Sequence, residues 1–214
     1  MQDSREDVRR AYEAFAATYD GQRGQFNLDP VLDAFLARLP KQGALLDLGC
    51  GAGEPVARTF IERGWTVTGV DFCHAMLELA ARACPTMQCI QADMREVEFP
   101  AAHFDAICLI YSLFHLPWRE HTALFSRLRD WLKPQGRLLF TYATADYTGQ
   151  ERFEGEKIFM DQRLFYSHTT PEELTTQLTT AGLAIEQAER RTIGGECFLW
   201  VTARLADDHR VPER

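Results

Sequence analysis

The chain has 214 residues, 46% hydrophobic and 25% charged, which is the balance of one soluble globular domain with a single large core and excludes wholesale disorder. Its 23 Lys plus Arg against 31 Asp plus Glu give a net charge of −8, the wrong sign for a general nucleic-acid surface. No apolar run approaches the ~20 residues of a membrane span, and the opening MQDSREDVRR has neither signal- nor transit-peptide character, so a cytoplasmic protein is expected.

Residues 4 to 19 place Val8, Ala11, Tyr12, Phe15 and Tyr19 three and four apart, which predicts an amphipathic helix ahead of the sheet. Asp29 as cap and Pro30 as first helical residue predict a second helix ending near Leu39. A first strand follows at Ala44 to Leu48, then a glycine-bearing loop, Gly49 to Gly53, and a helix opened by Pro55. Trp65 to Val70, Met87 to Gln91 and Phe104 to Ile110 read as further strands, with a helix from His74 to Ala83 between the first two. A helix from Arg119 to Leu132 stops before Pro134 and Gly136, and Arg137 to Tyr142 is a fifth strand.

From Ala143 to Thr169 the periodicity is lost, which predicts an irregular segment, either a lid over the substrate or a solvated acidic loop around Glu151 to Glu156. Thr170, Pro171 and Glu173 form a capping box for a helix reaching Ala181 and ended by Gly182. Ala184 to Arg191 and Glu196 to Arg204 then pair as a hairpin around Gly194 and Gly195. The alternation of strands and helices is that of an α/β fold. One domain is expected: an N-terminal helical cap over 1–40, a binding core over 44–142, a substrate lid over 143–170, and a closing helix and hairpin over 171–205.

Six cysteines, at 50, 73, 84, 89, 108 and 197, form no CxxC pair and no zinc spacing; reduced core thiols are expected, with no metal and no disulfide framework.

The chemistry concentrates in LLDLGCGAGEP, residues 45 to 55, where Gly49, Gly51 and Gly53 let a ligand approach the backbone. This is not a dinucleotide fingerprint: the third glycine comes one residue early, and Asp47 would repel a pyrophosphate. Asp47 suits an ammonium group, and the loop amides and following helix dipole suit a carboxylate; together they fit an amino acid. Asp71, ending the second strand, suits the hydroxyls of a ribose. Asp93 and Met94, after the third, suit the amine edge and one face of a purine. An amino acid joined to adenosine is S-adenosylmethionine.

With these residues in place, the chain resembles the class I S-adenosylmethionine-dependent methyltransferases, specifically the small-molecule type related to the quinone-biosynthesis methyltransferases. LLDLGCGAG, VTGVDFCHAML, QADM, FDAICLIYSLFHL and LKPQGRLLFTY carry the likeness over residues 44 to 142. The resemblance implies a Rossmann-like, doubly wound seven-stranded sheet, mostly parallel with a reversed C-terminal hairpin. It also implies that Gly49, Cys50 and Gly51 line the methionine moiety, Asp47 holds its ammonium, Asp71 binds the ribose, and Phe72 and Met76 flank the adenine, whose edge goes to Asp93 and Met94. Leu109 and Ile110 would lie under the methionine portion, and Tyr12 and Tyr19 resemble the aromatic residues that close over the cofactor.

Methyl transfer from a cationic sulfur is an in-line displacement with an excellent leaving group, so proximity and orientation carry most of the catalysis. His115, just beyond the fourth strand, is either a base for a protonated acceptor or a residue that shapes the helix start. Tyr111, Met160, Phe165, Tyr166 and His168 are candidates for the acceptor pocket, or for plain packing. No Asn-Pro-Pro-Tyr element follows the fourth strand, and with the negative charge this points to a small-molecule acceptor. A nicotinamide-dependent oxidoreductase and a non-catalytic S-adenosylmethionine-binding protein are the rival readings, and oligomeric state is not encoded legibly.

Overall fold

A computed structural model describes residues 4–22 and 27–207, apart from the side chains of residues 4, 15, 17 and 19–22. Helices α1 (Ser4–Gln22) and α2 (Asp29–Leu36) precede β1 (Ala44–Leu48), α3 (Val56–Glu62), β2 (Thr66–Asp71), α4 (His74–Ala83), β3 (Gln88–Gln91) and β4 (Phe104–Leu109). There follow α5 (His121–Trp131), β5 (Leu132–Tyr142), α6 (Ala145–Thr148), β6 (Phe153–Phe159), β7 (Gln162–His168), α7 (Pro171–Thr180), β8 (Leu183–Ile193) and β9 (Glu196–Leu205). Among the described residues no helix is long and apolar enough to cross a membrane.

Seven strands form one sheet in the order β3-β2-β1-β4-β5-β9-β8. The first five are parallel, and β9 runs antiparallel to both β5 and β8, which gives the reversed closing hairpin. The doubly wound α/β expectation therefore holds. Period-2 alternation divides the core: Leu45, Ala106, Cys108 and Ile110 face a layer shared with α1 to α4, while Leu46, Leu48, Ile107 and Leu109 face one shared with α5 and α7. Because the chain winds outward from β1 to β3 and then returns beside β1 as β4, a crevice opens at the carboxyl ends of these two strands.

Several boundaries differ from expectation for identifiable reasons. Asp29 is not the cap of α2 but its first residue, and its own N–H donates to the Asn27 side chain at 3.1 Å. Strand β5 begins five residues early, since Leu132 pairs with Phe104 and Arg137 with Ala106; the residues between, Pro134 and Gly136 included, are absorbed as an irregularity in the ladder. The capping box of α7 forms as expected, with Thr170 and Glu173 exchanging both bonds and Gly182 following at φ +80°.

The largest correction concerns 143–169, which is not irregular. It holds the short helix α6 and an antiparallel hairpin in which Phe153 pairs with His168 and Phe159 with Gln162. The two-residue turn is made by Met160 and Asp161, both at positive φ (49° and 59°). That geometry ordinarily recruits Asn-Gly, so the usual hairpin signature is missing from the sequence.

Candidate active site

The glycine loop is tied to the end of β2 by its backbone: the N–H groups of Gly49 and Cys50 donate to the Val70 carbonyl at 2.8 and 3.1 Å. The Gly51 N–H donates to Asp71 Oδ2 at 2.9 Å, and the Cys73 N–H to Asp71 Oδ1 at 2.9 Å. Burial pushes the Asp71 carboxyl up to about 6, against the pull of the Cys73, Gly51 and Phe72 amides. Lone pairs remain on the carboxylate for hydroxyl donors. Cys50 is buried, its thiol packed over Gly69, and burial pushes that thiol well above its ordinary range, so it is an inert wall.

Two lobes of one cleft meet over this loop. The first, about 750 Å³, lies over β2 and β3 and is lined by Asp71, Phe72, Met76, Asp93, Met94 and His115, among others. The second, about 840 Å³, lies over β1, β4 and β9 and includes Asp47, Cys50, Phe114, Phe159, Tyr166, Glu196 and Phe198. Tyr12, Gly49, Gly51, Ile110 and Tyr111 border both. Asp47 is 2% exposed and has no hydrogen-bond partner among the described residues. Burial, with the charge of Asp71, pushes its carboxyl up to about 7. An unpartnered buried carboxylate on a cavity wall is costly unless a cationic ligand group meets it.

Asp93 is less free than the sequence suggests. Arg95 grips it with Nε to Oδ1 at 2.9 Å and Nη2 to Oδ2 at 2.5 Å, and the Arg95 N–H adds a third bond to Oδ1. Arg5 Nη1 stands a further 3.7 Å from Oδ2, so two guanidinium groups flank this carboxylate on the lobe wall. Leu109 is a correction: it faces the α5 and α7 side of the sheet and lines neither lobe, whereas Ile110 lines both. The period-2 alternation allows only one of these neighbours to reach the cleft.

Helix α1 covers the cleft and packs on α4 and β7. Glu13 accepts from the N–H groups of His74 and Ala75 at 2.9 and 3.2 Å, capping α4 from outside. Tyr12 reaches His115 Nε2 at 3.0 Å, and His115 Nδ1 lies 2.8 Å from the Phe165 carbonyl. A carbonyl can only accept, so Nδ1 carries the proton and the Tyr12 hydroxyl donates to Nε2. Both ring nitrogens are thus engaged, and burial pulls the imidazole down to about 4. Of the two expectations for His115, these contacts favour a residue that shapes this region, a structural latch, over a base poised near neutrality. The Tyr19 side chain lies outside the described residues.

The acceptor candidates separate in the same way. Tyr111, at φ +57°, and Tyr166 line the second lobe. Phe165 lines neither lobe and contributes its carbonyl to the latch, because it alternates with Tyr166 along β7. Met160 occupies the hairpin turn, and its neighbour Phe159 lines the lobe instead. His168 is fully buried away from both lobes; its Nδ1–H donates to the Thr169 carbonyl at 3.0 Å, and Nε2 accepts from Thr148 at 2.7 Å. It is a pin between α6 and β7.

Phe114, Phe159, Glu196 and Phe198, missed from sequence, complete the second lobe. Tyr166, Phe114 and Phe198 form a ladder of near-parallel rings, with centroids 5.0 and 5.2 Å apart. Tyr147 stands 4.5 Å from Phe198 and donates its hydroxyl to Glu196 at 3.2 Å. The alternation of Glu196, Phe198 and Trp200 on β9 was the available signal, but it reads equally well as sheet core.

Comparison with known proteins gives a consistent result. The family model described as a methyltransferase domain matches residues 19–188. The Bacillus subtilis protein YqeM, named for a methyltransferase, is 35% identical over 134 residues, 60% of this chain and 54% of its own length. Trans-aconitate 2-methyltransferase of Escherichia coli is 37% identical over 108 residues, 48% of this chain and 41% of its own. The chain therefore spans about half the length of the curated relatives it matches. A Burkholderia thailandensis 1,6-didemethyltoxoflavin-N1-methyltransferase, solved with 1,6-didemethyltoxoflavin and S-adenosylhomocysteine bound, superposes with a TM-score of 0.70. It is 22% identical, and the match covers 94% of this chain and 88% of that one, a likeness of fold.

Proposed function

The chain belongs to the methyltransferase-domain family, and from that premise we propose that it is a class I S-adenosylmethionine-dependent methyltransferase acting on a small-molecule acceptor. The observation that carries this reading is Asp47: a buried carboxylate without a partner, on the wall of a lobe floored by glycines. A Cβ added at Gly51 would meet nothing within 4 Å, so the loop backbone is open to a ligand at this point.

S-Adenosylmethionine, when bound, supplies an electrophilic methyl group on a cationic sulfur. Asp47 would hold its ammonium, Gly49 to Gly51 would line its methionine chain with Ile110, and Asp71 would take the ribose hydroxyls. Phe72, Met76 and Met94 would pack on the adenine, and Asp93, held by Arg95, would meet its exocyclic amine. Tyr12, held by His115, would close the cleft against water. Alignment of an acceptor in the second lobe at near-attack distance can lower the barrier by ~7–11 kcal/mol without covalent help from the protein. In this reading 1–40 is the cap, 44–142 the cofactor core, 143–170 a hairpin that walls the acceptor side, and 171–205 the closing unit.

The tricarboxylate trans-aconitate does not transfer as acceptor in this reading, because it would meet Glu196 in a lobe that no Lys, Arg or His lines among the described residues. The test is calorimetric titration with S-adenosylhomocysteine, with NADH in parallel and Asp47→Asn as control. Saturable binding of the former, weakened at least tenfold in the variant, supports the reading; NADH binding alone would replace it with the oxidoreductase. A protein that binds S-adenosylmethionine yet forms no S-adenosylhomocysteine with any acceptor would be a binding protein.

A further inference from the structure

The second lobe contains three carboxylates, of which one is paired within the protein and a second is spoken for by the proposed cofactor. Glu54 is paired with Arg58, and Asp47 is assigned above to the cofactor ammonium. Glu196 remains. It stands at the start of β9, fixed by the Tyr147 hydroxyl at 3.2 Å, beside the ring ladder of Tyr166, Phe114 and Phe198. Lys157 lies behind it, its ammonium 4.1 Å from the centroid of the Tyr147 ring, and does not line the lobe. A carboxylate on the wall of an otherwise largely apolar, aromatic-lined lobe recognises one chemical class well, a cationic nitrogen on an apolar body: the carboxylate takes the N–H donors and the aromatic lining covers the body. A carboxylate, phosphate or phenolate in the same place would be repelled.

Resting on the reading that this cleft takes S-adenosylmethionine, we propose that the methyl acceptor is an apolar-bodied amine whose nitrogen is held by Glu196 against Tyr166 and Phe198. Methylation of an amine forms one N–C bond as the C–S bond breaks with its electron pair going to sulfur, and the nitrogen sheds one proton. Glu196 is placed to take that proton, freeing the lone pair for attack. Burial pushes its carboxyl up despite the Tyr147 hydrogen bond and the nearby Lys157, which brings its proton affinity closer to that of the amine it serves.

The test uses two probes of similar size and opposite charge, phenethylamine and phenylacetate, titrated into the full chain saturated with S-adenosylhomocysteine. Phenethylamine should bind at least tenfold more tightly than phenylacetate. In Glu196→Gln that preference should fall by about tenfold, the scale of a lost charge-assisted hydrogen bond, while S-adenosylhomocysteine affinity is unchanged. Glu196→Asp should recover part of it. A purely structural partner of Tyr147 would not set the amine-to-acid ratio. Phenylacetate binding as tightly as the amine, an unchanged ratio in Glu196→Gln, or neither probe binding to a protein that does bind S-adenosylhomocysteine would overturn the assignment. Loss of S-adenosylhomocysteine binding by the wild-type chain would instead remove the cofactor reading itself, and this proposal with it.

Discussion

Gly49 and Gly51 share a loop and a left-handed backbone, at φ +74° and +52°, yet they carry different physical burdens. A Cβ on Gly49 would stand 2.4 Å from the Ser112 Cβ, and Ser112 is itself fixed by donating to the Leu48 carbonyl at 2.8 Å. Backbone strain and overpacking then add, so Gly49→Ala should lose roughly 2–4 kcal/mol of stability by urea denaturation. Gly51→Ala meets open space and should lose only about 1 kcal/mol, while weakening S-adenosylhomocysteine binding because the new methyl enters the ligand's room. Equal stability losses in the two variants would contradict this division. The need for glycine at both positions was legible in the sequence; which reason applied to which was not, since Ser112 is remote in sequence and is brought to Gly49 only by β4 lying beside β1. Asp47 and Asp71 were legible for a simpler reason: a strand end fixes both the position and the face of its last residues.

At the scale of elements, the cleft is closed by α1, and the closure is written in three side-chain contacts rather than in the helix's apolar stripe alone. Glu13 caps α4, Arg5 reaches Glu96 at 3.1 Å, and Tyr12 holds His115, which in turn holds the Phe165 carbonyl of β7. Tyr12→Phe removes one donor and leaves His115 Nε2 buried without it, a loss of about 1–3 kcal/mol that falls on the closed arrangement. Dissociation of S-adenosylhomocysteine, followed by stopped flow, should therefore quicken about tenfold or more. A rate equal to wild type would show that the latch does not retain the ligand. The hairpin supplying Phe165 was the element sequence reading lost. Its first strand alternates inward Phe153, Gly155, Lys157 and Phe159 with outward Glu154, Glu156 and Ile158. The glycine, the lysine and the 73% exposed Ile158 mask that hydrophobic period, and the non-glycine turn hides its end. The parallel core was legible because its strands are buried on both faces; a two-stranded ribbon covered on one face leaves a weaker trace.

Across the whole molecule, burial has set two families of titrating groups against each other. Asp47 and Asp71 are pushed up to about 7 and about 6, so between the ordinary carboxylate range and those values the folded chain binds more protons than the unfolded one. Stability from these groups therefore falls as pH rises. His115 and His121 are pulled down to about 4, so between that value and their ordinary 6.5 the unfolded chain binds more protons and stability rises with pH. The two trends offset one another up to about pH 6; of these four groups, Asp47 alone still titrates from 6.5 to about 7. Asp47→Asn isolates its contribution: the variant's stability advantage over the ligand-free wild type should grow from pH 4 to pH 7, by up to about 1.4 kcal/mol per pH unit, and then level off. A bound ammonium reverses the sense, because it favours the ionised carboxylate. Wild-type affinity for S-adenosylhomocysteine should thus decline as pH falls below about 7, while the weaker affinity of Asp47→Asn, left with only Asp71 titrating in the site near 6, should decline less steeply. Thermal unfolding and calorimetry across these pH values measure both slopes on the same two proteins. Parallel curves in either measurement would mean that Asp47 does not exchange its proton for the ligand's charge.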